Sequence, residues 1–395
     1  MSPVPRLQAD HGPALLSYGF RPFFLFGALY AGLGVLAWLP MFYGELKVST
    51  AFSPVDWHVH ELLYGYLSAV VAGFLLTAIP NWTGRLPIQG TPLLALVVVW
   101  VAGRIGVTLS AQIGWLPAAV VDVGFLVMVT AAAVREIVAG KNWRNLRVIG
   151  MVVLLLAGNI AFHVEAQVRG HAVYGTRIGI AAIVLLIIVI GGRIIPSFTR
   201  NWLARENPGR LPAPFGRFDG AVIGLSALAL ALWIVQPAGP LTAAALGATA
   251  ALNIVRLARW AGDRTWRDRL VLILHVGYLF VPLGFLLAGL GALDVVVASA
   301  GVHAWMVGAA GTMTLAVMTR ASLGHTGKAL IASPATQAIY VAIVIAALAR
   351  IYSSLEPASS EWSLHIAAFA WAAAFLGFAL AYGPLLVRPK PGTSQ

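Results

Sequence analysis

Twelve runs of about twenty apolar residues, set apart by charges, prolines or glycine clusters, constrain this chain more than any other feature. They fall near residues 18–40, 58–80, 91–109, 115–135, 147–166, 174–196, 218–236, 240–258, 269–290, 297–318, 335–353 and 364–387. A bilayer interior leaves no water for unpaired backbone groups, so such runs cross it as helices. Composition agrees: 59% of the 395 residues are hydrophobic and 10% charged, against about 25% charged in soluble domains. Mean hydropathy is +0.85. The expectation is an all-α polytopic membrane protein with twelve transmembrane helices, forming a single transmembrane domain over residues 1–395. A polar stretch precedes the first run and no small-residue cleavage site follows it, so it is read as a span rather than a cleavable signal.

Net charge is +12, which taken alone would suggest a nucleic-acid partner. The distribution of the basic residues argues otherwise. With the N-terminus placed in the cytoplasm, 21 of the 26 Lys and Arg residues fall at the inner side. Only Lys47, Arg104, Arg169, Arg177 and Arg350 fall at the outer side. This is the positive-inside pattern, favoured by insertion and by anionic inner-leaflet lipid, and it predicts that both termini are cytoplasmic. The partner it implies is the lipid bilayer, with no nucleic acid. The only sizeable loop expected is Arg193 to Arg217, too short and too basic for a folded domain. A weak repeat links the inner ends of the second, sixth and tenth runs (Thr77 to Arg85, Arg193 to Trp202, Met318 to Lys328). It suggests three four-helix units, 18–135, 147–258 and 269–387.

Cysteine is absent, which removes disulfides, thiolate catalysis and cysteine-held metals and leaves His, Met, Tyr and carboxylates as possible ligands. Ionisable groups within apolar spans usually face a bundle interior, pair, or bind something. His58, His60 and Glu61 open the second run, and Asn159, His163 and Gln167 recur at four-residue spacing on one stripe of the fifth, with Glu165 beside them. His303 opens the tenth run and His275 lies within the ninth. The topology puts His58, His60, His163 and His303 at one depth near the outer surface. Neutral imidazole there is a common transition-metal or haem ligand. On an ideal helix His58 and His60 stand about 200° apart, so they would serve different sites, whereas Glu61 shares a face with His58. His275 reads equally well as a ligand or as a hydrogen-bonded core residue. His11, His171 and His365 read as interfacial, Met306, Met313 and Met318 as packing, and Trp82, Trp115, Trp143, Trp202, Trp260 and Trp362 as an interfacial belt. Gly175 and Gly179 read as a helix-packing device. No phosphate-binding loop, zinc-protease motif or nucleophile elbow is present.

Three stretches carry a family resemblance. The run Gly19-Phe20-Arg21-Pro22-Phe23-Phe24, the run Trp57-His58-Val59-His60-Glu61 continuing through Gly73 to Arg85, and His303-Ala304 through Gly311 to Gly327 resemble the NnrS family of bacterial membrane proteins. The resemblance implies a twelve-helix protein of the bacterial inner membrane that holds haem b and copper and acts on nitric oxide, in denitrification or in defence against nitrosative stress. A more distant likeness connects the chain to the catalytic subunit of haem-copper oxidases, also twelve helices in three arcs. Here the seventh helix lacks a His pair and the sixth lacks an internal His-Pro-Glu-type motif.

These readings combine into one expectation. His303 with His58 or His60 would be axial haem ligands, with His275 a further cofactor-binding candidate. His163 would be a ligand at a second metal, with a remaining His of the second run. Glu61 and Glu165 would carry protons for nitric oxide reduction, with a quinol or another donor supplying electrons. The alternative is a transporter, or a haem and copper handling protein without turnover.

Overall fold

The computed structural model describes residues 12–389, so Arg6, His11 and Lys390 lie outside the described residues. Among the described residues there is no strand, and twelve helices are long and apolar enough to cross a membrane. They are α1 (Phe20–Phe42), α2 (Pro54–Thr83), α3 (Gly90–Thr108), α4 (Trp115–Ala139), α5 (Trp143–Arg169), α6 (Tyr174–Glu206), α7 (Arg217–Val235), α8 (Pro240–Ala258), α9 (Arg269–Gly291), α10 (Ser299–His325), α11 (Pro334–Leu355) and α12 (Ser360–Val387). Each corresponds to one apolar run, and together they make an all-α polytopic membrane protein.

Local chemistry sets the helix ends. Ser53 caps α2, its Oγ accepting from Asp56 N at 3.1 Å with Pro54 in the first turn. Ser333 caps α11 in the same way, Oγ to Thr336 N at 3.2 Å. Asp268 caps α9 by accepting from Leu270 N and Val271 N. These side chains supply acceptors for amides that the helix itself leaves without a partner.

Two boundaries differ from the sequence expectation. α2 starts four residues before His58, so the histidines occupy its first two turns. α6 runs through Pro196 to Glu206. Inside a helix a proline removes one backbone hydrogen bond but does not forbid the next turn, and Arg200 and Arg205 therefore sit on the helix, not in a loop. Several basic residues counted as flanking charges, Arg104, Arg177, Arg256, Arg320 and Arg350 among them, also lie within helices.

Three spans contain a π-helical stretch: Glu61–Tyr66 in α2, Ile187–Gly191 in α6 and Ala304–Gly311 in α10. Such stretches accommodate an extra residue in the turn and are often found at functional sites.

The contacts divide the chain into two compact units. The first contains the described residues up to Gly179, Ala321–Lys328 and the described chain from Phe378 onward; the second contains Ile180–Arg320 and Ala329–Gly377. In the first unit α1 packs on α2, α3 on α4, and α4 on both α2 and α5. Close approach is set by small residues. A Cβ on Gly175 would overlap the Phe162 backbone, and one on Gly179 would overlap the Tyr64 ring, which is the packing role read for this glycine pair. In the second unit α9 is the central helix, packed against α8 and α10, with α7 on α8 and α11 on α10.

Candidate metal centre

The first unit holds a buried polar cluster assembled from α1 to α5. His60 and Glu61 come from α2, Arg104 from α3, Asp122 from α4, and Asn159 and His163 from α5; all six are at most 5% exposed. His60 Nδ1 lies 2.7 Å from Glu61 Oε1, and its Nε2 lies 3.1 Å from Asn159 Oδ1 and 3.2 Å from Asp122 Oδ2. His163 Nε2 lies 2.9 Å from the same Asp122 Oδ2. Arg104 donates to Glu61 Oε1 at 2.8 Å through Nη1 and to Asp122 Oδ1 through Nη2. The Tyr30 hydroxyl of α1 donates to Glu61 Oε2. The cluster is a continuous hydrogen-bonded chain from Tyr30 through Glu61, His60, Asn159 and Asp122 to His163.

Hydrogen-bond logic restricts its state. Asn159 Nδ2 donates to Asp122 Oδ2 at 2.9 Å, and turning the amide over would set its oxygen against that carboxylate. The amide oxygen therefore faces His60. Both His60 nitrogens then face acceptors, which suits either an imidazolium donating twice or a neutral ring whose Nε2 lone pair goes to a cation. Charge counting leads to the same place. With neutral imidazoles, two carboxylates face one guanidinium, and one negative charge is left over in a site shut off from water. A proton or a metal ion would balance it.

The donor geometry suits a metal. One ligand atom each from His60, Asp122 and His163 lies within 4.8 Å of the others. Ligands about 2.0–2.2 Å from a common ion stand roughly 2.8–3.6 Å apart at octahedral to tetrahedral angles, and the two shorter separations, 2.9 and 3.2 Å, match that range. Two imidazoles and a carboxylate are a first-row transition-metal donor set. Each of these ligands also has a partner that orients it: Glu61 on His60, and Arg104 and Asn159 on Asp122. Aromatic rings enclose the site, with Phe52, Phe162 and Tyr64 centred 5.2, 5.1 and 5.5 Å from the His60 ring.

The other expected site residues lie elsewhere. His58 points away from His60, its ring stacked on Trp38 of α1 at 4.1 Å. Glu61 joins His60 and not the His58 face, because the π-helical stretch that begins at Glu61 narrows the angle between successive side chains while Arg104 and Tyr30 hold its carboxylate. Glu165 accepts from Val173 N and Gly175 N at 3.0 and 2.8 Å and so caps the start of α6. Gln167 is exposed. In the second unit His275 Nε2 lies 2.8 Å from Thr199 Oγ1. His303 lies 2.7 Å through Nδ1 from the Ser299 carbonyl, to which it donates. A second buried network there joins Arg256, Asp219, Tyr278, Asn253 and Ser226 but contains no imidazole.

Sequence reasoning treated Arg104 as an outer flanking charge and did not include Asp122 among the candidate ligands. The available signal was that each is a lone charge inside an apolar run, of opposite sign on successive helices, and such charges tend to pair.

Twelve apolar helices, with a buried set of side chains in the first unit that could ligate a metal, define a polytopic membrane protein with a candidate transition-metal centre. The chain belongs to the NnrS family, whose model, described as NnrS protein, matches residues 14–390. It is thus a membrane protein connected with nitric oxide. A comparison with curated proteins finds no match.

Proposed function

We propose that the protein binds nitric oxide at a metal or haem centre within the bacterial inner membrane and reduces it. The observation that carries this reading is the buried group His60, Asp122 and His163, with two imidazoles and a carboxylate converging on one point. Nitric oxide is small, uncharged and lipid-soluble, so a centre reached from the bilayer needs no soluble receptor domain. Reduction of two nitric oxide molecules to nitrous oxide and water takes two electrons and two protons, the electrons supplied by a quinol or another donor.

His60, Asp122 and His163 would hold a transition metal such as copper, and that metal would supply the redox chemistry. The rest of the cluster belongs to the chain itself. Asp122 sets both imidazoles at their spacing, Arg104 fixes the two carboxylates, and the Tyr30, Glu61 and His60 chain of hydrogen bonds holds protons beside the site. Haem b would be held in the second unit, by His303. The Nδ1 of His303 donates to a backbone carbonyl, which selects the tautomer whose Nε2 carries the lone pair, as in metal-ligating histidines. His58 and His275 are further candidates for cofactor contacts, and Glu165 for proton handling. The π-helical stretches in α2, α6 and α10, four spans apart, support the reading of three four-helix units. The basic residues support cytoplasmic termini.

The test is metal analysis and optical spectroscopy of the purified protein, combined with anaerobic nitric oxide consumption in the presence of a quinol or chemical reductant. Wild type is expected to hold metal and consume nitric oxide, and His163→Ala to lose both the metal and the consumption. A metal-loaded wild type that leaves nitric oxide untouched would overturn reduction in favour of transport or cofactor handling.

A further inference from the structure

Arg350 of α11 is a guanidinium that the fold leaves without an acid. It is partly buried, five residues before the helix end. Among the described residues no carboxylate lies within ion-pair distance of it; Glu356 and Glu361, the acids nearest in sequence, do not pair with it. Its side-chain partner is the Ser354 hydroxyl, to which Nη1 donates at 2.9 Å. Arg104 and Arg256, also inside spans, each face a carboxylate, and Arg21 is covered by three backbone carbonyls at the end of α12. A desolvated guanidinium in a membrane span calls for an anion.

The neighbours of Arg350 indicate which anion. Ser354 Oγ also lies 3.5 Å from His303 Nδ1 and 3.3 Å from Ser299 Oγ. The uncompensated charge therefore stands one hydroxyl away from the histidine whose tautomer is set for ligating iron. A ligand that meets both groups carries a metal and a carboxylate in one molecule, as haem does. Guanidinium forks match carboxylates well, and such pairs are stronger than neutral hydrogen bonds.

We propose that His303, Arg350 and Ser354 form a haem site in which Arg350 and Ser354 hold a propionate carboxylate; this rests on the haem reading given above. The charge on Arg350 is then balanced only in the haem-loaded protein, and the acid it lacks in the chain is supplied by the cofactor.

The experiment titrates the haem-free, full-length protein, in nanodiscs of phosphatidylcholine, with haemin and with haemin dimethyl ester, whose carboxylates are blocked. The Soret band reports binding. Wild type is expected to bind haemin about tenfold more tightly than the ester, the loss of one charge-assisted pair. Arg350→Gln is expected to weaken haemin to the level of the ester while leaving the ester unchanged, and Arg350→Lys to restore part of the difference. Because the ester comparison uses wild type, it holds even if a variant folds poorly. Equal binding of haemin and ester by wild type, or haemin binding unchanged in Arg350→Gln, would overturn the proposal. If His303→Ala still abolishes the haemin signal in that event, haem binding survives and only the carboxylate site falls. If wild type binds neither compound, the haem reading falls with it. A variant that loses retained phosphatidylglycerol while keeping haemin affinity would assign Arg350 to a lipid headgroup, and the proposal would fail.

Discussion

Replacing Arg104 by glutamine tests the energetics of the candidate metal centre most directly. The side chain is 5% exposed and bonds to two carboxylates, Glu61 and Asp122, from different helices. Glutamine is too short and uncharged, so both acids would remain buried with no cation. Breaking a buried ion pair from one side costs about 3–5 kcal/mol, mostly the penalty of the charge left behind. Arg104→Gln should fall in that range, even though a surface pair would cost under about 1 kcal/mol. Glu61→Gln removes one of the stranded charges. The double variant should therefore be more stable than the sum of the two single losses by about 1–3 kcal/mol, the range for residues in one network. Equilibrium unfolding in mixed micelles, with a chelator present so that no metal substitutes for the lost charge, measures both quantities. A loss below about 1 kcal/mol for Arg104→Gln, or strict additivity of the pair, would refute the assignment of Arg104 as the counter-ion of the cluster.

Three further outcomes follow from the geometry. A Cβ on Gly65 would overlap the Arg104 guanidinium, whereas one on Gly124 meets nothing within 4 Å; Gly65→Ala should cost about 1–3 kcal/mol and Gly124→Ala should be neutral or slightly stabilising in the same unfolding assay. Asp219→Asn leaves the fully buried Arg256 without its charge partner and should cost about 3–5 kcal/mol, with no change in metal content by elemental analysis. Since the chain has no cysteine, single Lys47→Cys and Lys141→Cys variants can be labelled with a membrane-impermeant maleimide. Lys47→Cys should react in intact cells and Lys141→Cys only in inverted vesicles; the reverse pattern would refute cytoplasmic termini.

The fold was legible because lipid imposes one rule on every span, and apolar length alone reports obedience to it. Helix ends were less legible. Pro196 reads as a terminator, yet α6 continues through it, because one missing hydrogen bond is a small loss inside a long helix. Half of the candidate metal site could be read from single spans: His60 at the head of the second run, and the Asn159 and His163 stripe on the fifth. Arg104 and Asp122 could not be placed, since their meaning lies in which helices pack together, and hydropathy carries no information about neighbours. The partnership of His60 with Glu61 depends on the π-helical stretch, and periodicity assumes an ideal α-helix throughout. The same limit hid Arg350, counted by sequence among the outer charges.

The π-helical stretch Glu61–Tyr66 carries one further consequence, for how this chain can change over generations. Six residues in π-helical geometry turn the chain by about as much as five in an α-helix, so the stretch absorbs one extra residue while the two ends of α2 keep the directions of a regular helix. Removing one residue would leave those ends facing as before and re-aim only the side chains between them. His60 would keep its place at the head of α2, whereas Glu61 against Arg104 and Tyr64 against the Gly175 carbonyl would lose theirs. The stretch is therefore a local insertion that the site uses: losing a residue there would spare the rest of the span and dismantle the site.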